Sequence, residues 1–402
     1  MPGPAKVSID ALAAAALSAQ GKRQTEIAVA LDLSQSAVSR LLQDVQDYIL
    51  VTRAFAWDRL PPATQQEVRR RISHREIGGR VAHLAEQHGQ PAPAVHVVSL
   101  GEEQQNGPPF ETFAAQAAIV LRDLLVDVRG RVGVAWGSTL WYVTLALRSI
   151  LPHPFRKQDP IEFVPLCGDP LIDTLELYAD RTSSRIVSDL SKIVNGDETR
   201  PAWLGLVPAF IPREFKRAEI RVIDRLIDLV PQYPRIFGPR IPRARSAAPF
   251  AGDLNMIVTA AGPAKRPLGF GRNPLLGLAD RESKALADSI YGDIGGVLLP
   301  RPTGGPAPHQ LVVELTRRWT GLKIEHLKAC AARAFAEPSR ARPGVTLFAF
   351  GADHADVVIE AVRRGLANQL IIGSDLEAAM AEVLPRPPAA ESEPAPDKHP
   401  AA

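Results

Sequence analysis

A set of short apolar runs places the strongest limit on how this chain folds. Val132–Trp136, Ile161–Cys167, Trp203–Val207, Leu254–Thr259, Val345–Phe350 and Gln369–Ile372 are nearly continuous, rich in β-branched residues, and bounded by Gly, Pro or Asp. Strands with one wet face alternate; runs like these fit strands buried on both faces. Helical patterns lie between several of them, at Phe113–Val126, Ser184–Ile193 and Ala355–Arg364. Such alternation implies parallel strands joined by crossover helices. The expected class is therefore α/β, with a doubly wound, mostly parallel, Rossmann-like sheet. Ligands of such sheets bind at the carboxyl ends of the strands, so the residues that follow each run are the ones to inspect.

A chain of 402 residues exceeds one ordinary domain. Residues 1–51 show short helices with apolar periodicity and form a separate all-α unit. Residues 52–107 are richer in Arg and Gln, are broken at Leu60-Pro61-Pro62, and read as a helical connector. The α/β alternation occupies 108–383. The tail 384–402 is rich in Pro, Ala and Glu without an aromatic residue, a composition that predicts disorder. Cys167 and Cys330 lack CxxC spacing and read as buried free thiols of a reducing compartment. Neither a metal pattern nor a cofactor signature stands out. The Ala-rich start is interrupted by Asp10 and followed by no cleavage site, and no apolar run nears the roughly 18 residues of a membrane span. A cytoplasmic protein is expected.

The segment Gln24–Leu42 carries the most specific pattern. Ile27, Ala28 and Leu31 give a short helix one face that can pack, and the small Ala28 suits a close helix crossing. Asp32-Leu33-Ser34 makes a turn, with Ser34 as N-cap of the next helix. Val38, Leu41 and Leu42 line that helix's buried side. Gln24 and Thr25 begin the first helix, while Gln35, Ser36, Ser39 and Arg40 remain outward on the second, able to reach base edges and phosphates from a recognition helix. A plain helical hairpin with a polar outer face is the competing explanation.

The net charge of +3 argues nothing about partners, so the case for nucleic acid is local. Locally, Glu26, Asp32, Asp44 and Asp47 balance Lys22, Arg23 and Arg40. Phosphate affinity comes largely from counterion release by Lys and Arg, so a single copy of the motif binds weakly and pairing of two copies is expected. Arg69, Arg70, Arg71 and Arg75 in the connector either add phosphate contacts or form a solvated helix face.

Taken in order, these pieces resemble the SorC family of sugar-binding transcription regulators over about residues 20–383. Val132-Gly-Val-Ala-Trp-Gly-Ser-Thr-Leu140 looks like the family's first strand and phosphate loop, and Phe163–Asp169 like its second strand and glycine turn. Leu206–Phe210, Gly292-Asp-Ile-Gly-Gly296, Phe350–His354, Ala361–Gly365 and Leu370–Asp375 follow in the family's sequence. The resemblance implies a helix-turn-helix joined to a sugar-isomerase-like effector domain, phosphosugar effectors, and homodimers or homotetramers on double-stranded operator DNA, without a membrane partner. One departure stands out: His354 occupies a position where the family commonly has a phosphate-binding lysine. A histidine is a weaker, pH-dependent anion partner. Pro263–Ala279, with Arg266 and Arg272, also fits the pattern poorly.

For the effector, Gly137-Ser138-Thr139 follows a buried strand at the start of a helix, where backbone N–H groups and two hydroxyls suit an anion. An ordinary strand-to-helix turn with a capping Ser explains the same residues. Gly168, Asp169 and Asp293 end further runs, where a carboxylate can accept from sugar hydroxyls or simply cap a helix. His354 completes the candidate set. No Gly-Lys-Ser/Thr closes a glycine run, and neither Gly133–Gly137 nor Gly269-Phe-Gly271 carries the full dinucleotide fingerprint. The expectation is a non-enzymatic regulator of carbohydrate metabolism responding to a sugar, phosphosugar or polyol. The alternative is a sugar-phosphate isomerase or deaminase of the same fold, with Asp169, Asp293 and His354 as acid/base groups.

Overall fold

A computed structural model describes residues 8–19, 22–45, 76–98, 109–151, 159–167, 181–196, 210–230, 232–237, 254–264, 278–302 and 306–386. The N-terminal unit comprises α1 (Ile9–Ala19), α2 (Gln24–Leu31) and α3 (Gln35–Asp44). Alanines let α1 be enclosed along its whole middle: every residue from Ala11 to Leu17 is buried, in one cluster with Ile27, Ala28, Leu31 and Val38.

After a helical stretch at 76–87 the chain runs through β1 (Ala94–Val98), α4 (Pro109–Asp127), β2 (Arg131–Val134), α5 (Ser138–Ile150), β3 (Glu162–Pro165) and α6 (Ser183–Asn195). It continues with α7 (Arg217–Leu229), α8 (Gln232–Phe237), β4 (Leu254–Pro263), α9 (Asp280–Ser289), β5 (Ile290–Ile294), β6 (Val297–Pro300), α10 (Pro306–Arg318) and α11 (Ile324–Ala336). The last elements are β7 (Gly344–Ala349), α12 (Ala355–Arg363), β8 (Gln369–Gly373) and α13 (Ser374–Val383).

The strands lie in the order β1-β8-β7-β4-β2-β3, every neighbouring pair parallel. Strand residues alternate between two cores. Val132, Val134, Met256, Val258, Phe348 and Ile371 face α4, α5 and α6. Ile257, Val345, Leu347, Leu370 and Ile372 face α11, α12, α13 and the 76–87 helix. Helices cover both faces, which is why the runs read as continuous rather than alternating. The α/β, mostly parallel class expected from the runs is the observed one.

Three differences from the sequence expectations matter. Ala94–Val98, assigned to the connector, is the edge strand of the sheet, in register with Gln369–Gly373. Its burial is graded and His96 sits at its middle, so no continuous run announces it. Gly292–Gly296, expected as one turn, is instead the end of β5 and the turn of an antiparallel hairpin, in which Asp293 pairs with Leu298 and, across β4, with Gly262. Leu384, placed by composition at the head of the tail, is buried and closes α13. Trp203–Val207, most of Leu206–Phe210, Arg69, Arg70, Arg71, Arg75, Arg266, Arg272 and the tail from residue 387 lie outside the described residues. Both thiols are buried, and burial pushes that of Cys330 up to about 12.

Candidate functional site

The turn between α2 and α3 is built by Asp32 and Ser34. Asp32 is the one non-glycine residue with positive φ among those described (φ 56°, ψ 48°), and it ends α2 in a left-handed cap. Asp tolerates this conformation better than most residues. The Leu33 N–H then donates back to Ala28 O at 2.9 Å, closing the turn. Ser34 is extended, and its Oγ accepts from the Ala37 N–H at 3.2 Å, so the first turn of α3 is capped from its own sequence. With Val38 fully buried, Gln35, Ser36 and Arg40 are exposed and Ser39 half-buried. Gln24 and Thr25 are exposed at the start of α2, where Glu26 accepts from the Arg23 N–H at 2.6 Å. Glu26 thus caps the start of α2. Beneath these polar residues Ile27, Ala28, Leu31 and Val38 close an apolar core with α1.

The second candidate site lies at the carboxyl ends of β2, β4 and β7. Connections leave β2 toward β3 on one side and β4 toward β7 on the other, so the strand ends between β2 and β4 are a topological switch point, the place where such sheets commonly hold ligands in a crevice. β2 and β7 flank β4, which sets the loops that follow them about 10 Å apart. Gly137 opens α5 with φ 123°, a conformation that side chains rarely adopt, and its N–H donates to Arg181 O at 3.1 Å. Ser183 ties the floor together, donating from Oγ to Val134 O at 2.5 Å and accepting from the Leu166 N–H at 3.0 Å. The β5–β6 hairpin turn bears on the same place. A Cβ on Gly295 would lie 2.7 Å from Thr259 Oγ1 and 3.0 Å from Ala135 Cβ.

Within this frame Gly137, Ser138 and Thr139 are half-buried on the β2 side. Asp293 is buried on the hairpin, and its Oδ1 accepts from the Gly296 N–H at 2.9 Å. His354 is buried beyond β7, its Nδ1 3.0 Å from Asp353 Oδ1 and its ring stacked on Phe350. Gly168 and Asp169 lie outside the described residues. Arg181 was not chosen from the sequence. Its Nη1 donates to Ser138 Oγ at 2.8 Å, and its guanidinium lies 5.7 Å from the centre of the Trp141 ring. Arg181-Thr182-Ser183 looks like any helix start, so nothing in the sequence marks it.

Burial pushes the Asp293 carboxyl up to about 7 from its ordinary 3.8, against the opposing pull of the Gly296 N–H. The folded state therefore holds a proton between about pH 4 and 7 that the unfolded chain releases. Stability falls as pH rises through that window and stays lower above it. Burial and the neighbouring Glu76 charge push Glu377 up to about 7 as well, which adds a fall of the same sign. Asp293→Asn, neutral throughout, is expected to reduce the fall in Tm between pH 5 and 8 without abolishing it. An unchanged slope would contradict a buried, protonated acid at this position.

Among the described residues no helix is long and apolar enough to cross a membrane. No family model matches the chain, and no curated protein does. Solved structures do. The chain is similar to a DeoR family transcriptional regulator from Listeria monocytogenes at 16% identity, with a TM-score of 0.49, covering 74% of this chain and 96% of that one. It is similar to the full-length sorbitol operon regulator SorC from Klebsiella pneumoniae at 15% identity, with a TM-score of 0.49, covering 92% of this chain and 97% of that one. A probable sor operon regulator from Shigella flexneri is similar at 17% identity, with a TM-score of 0.49, covering 76% of this chain and 97% of that one.

Proposed function

We propose that this chain is a DNA-binding transcriptional regulator of carbohydrate metabolism, whose operator affinity is set by a sugar, phosphosugar or polyol held at the strand-end crevice. The observation that carries it is the exposed polar face of α3, presented on a turn fixed by Asp32 and Ser34. Gln24, Thr25, Ser34, Gln35, Ser36, Ser39 and Arg40 would meet the duplex. Gly137, Ser138, Thr139, Gly168, Asp169, Asp293 and His354 would meet the effector, with Arg181 supplying a fixed positive charge beside Ser138. A neutral Asp293 can donate to a hydroxyl or anion as well as accept. The near-balanced charge around α2 and α3 favours a homodimer or homotetramer, which multiplies the phosphate contacts. We place the DNA-binding unit at residues 1–51, in a cytoplasmic protein.

A sugar-phosphate isomerase or deaminase is the second reading, and one observation favours it: a buried carboxyl that titrates near neutrality suits acid/base chemistry. Thermal-shift screening of the full chain against sugars, phosphosugars and polyols separates the two. Stabilisation by a compound that is recovered unchanged supports an effector site. Turnover of that compound supports the enzyme.

A further inference from the structure

One helix runs between the turn after β7 and the helix at 76–87. The N-terminal end of α13 packs against the short turn Ala352–His354 beside the crevice. Leu376 and Met380 bury one stripe of α13, and Leu384 continues it. Its other end is held by a single side chain. Arg80 donates from Nη1 to Leu384 O at 3.0 Å and to Ala381 O, and from Nη2 to Glu76 Oε1 at 2.7 Å. Arg80 is itself buried, at 6% exposure. The carbonyls at a helix C-terminus are the ones without partners inside the helix, and they carry the negative end of its dipole. A guanidinium there bonds firmly.

Arg80 lies in the 76–87 helix, which leads from the connector into β1 and buries Ile77, Val81, Leu84 and Ala85 in the same core as α13. The hydrogen bond from Arg80 holds the Glu76 carboxyl below its ordinary range against the effect of burial, and the charges of Arg386 and Lys22 act in the same direction. Lys22 stands just before α2.

We infer that α13, latched at its C-terminal end by Arg80, is the strut that links the crevice turn Ala352–His354 to the connector of the DNA-binding unit. It is about 15 Å long and moves as one body, so a shift of the turn displaces Arg80 and the helix that carries it. This rests on the regulator proposed above for its purpose, though not for its mechanics.

Hydrogen exchange of the full chain, without DNA or sugar, tests the mechanics. Arg80→Met keeps the bulk and removes the donors. Exchange is expected to quicken about tenfold or more at residues 76–80 and 381–386, and also at Ala352–His354 and the first turns of α13, with β4 and α5 unchanged. Arg80→Lys, which keeps one charged donor, falls between the parent and Arg80→Met, and carries the test should the Met variant not fold. Acceleration confined to 76–80 and 381–386 would overturn the strut, as would a uniform rise through the sheet or equal behaviour of the two variants. The readout needs neither DNA nor effector, so it stands or fails separately from the regulatory function.

Discussion

The double variant Gln35→Ala with Arg40→Ala is expected to bind a selected DNA duplex on the order of a hundredfold more weakly than the parent at equal salt, with Tm unchanged. Both side chains are exposed on α3, and neither belongs to the buried cluster that holds the helix. Exposed substitutions of this kind usually move stability by less than about 0.5 kcal/mol. Contacts to a base are worth about 1–3 kcal/mol each, and a dimer loses them twice. Arg40 Nε donates to Ser36 O at a long 3.3 Å, a bond that an incoming phosphate or base displaces easily. Gln35→Ala alone should relax sequence preference and leave the salt dependence unchanged. Arg40→Ala alone should lower the salt slope if the guanidinium neutralises a phosphate. Parent-like affinity of the double variant would remove α3 as the recognition helix.

Gly296→Val is expected to cost about 3 kcal/mol or more of unfolding free energy, combining overpacking with a left-handed backbone. Gly296 has φ 86°, and a Cβ there would lie 2.2 Å from Trp319 Cζ2. The indole cannot retreat. Its Nε1 donates to Leu322 O at 2.9 Å, its ring centre lies 5.9 Å from that of Trp136, and its backbone bridges Phe210. The hairpin must therefore lift, and Asp293 then loses the Gly296 N–H and the burial that keeps its proton. Urea unfolding measures the loss. A cost below about 1 kcal/mol would mean that the turn is free to move, and that it does not fix Asp293 in the crevice.

Much of the fold was legible because burial on both faces writes itself as uninterrupted runs: β2, β3, β4, β7 and β8 all lie on segments chosen for that reason. β1 was not, since its first residue is exposed and His96 at its middle interrupts the apolar run, whereas β3 at the opposite edge keeps its run. The β5–β6 hairpin was hidden by its own glycines, which read as a turn although Gly292 belongs to a strand. The turn between α2 and α3 was legible because Ser34 and Asp32 act within a few residues of themselves. The crevice was legible only in outline. The strand ends mark its place, whereas the bond from Arg181 to Ser138 spans 43 residues and leaves no local pattern. The Arg80 latch spans 304 residues to Leu384, and a lone arginine in a polar connector gives no sign of it.

In the proposed regulator one chain reads DNA and a sugar-like effector, and each alters the other's binding. The direct measurement is the affinity of the full chain for a selected duplex, at fixed salt, with and without the strongest stabiliser from the thermal-shift screen. The account predicts a shift of about 5- to 150-fold in duplex affinity, and a shift of the same factor in effector affinity when duplex is present. Tight binding of both with neither changing the other would contradict it.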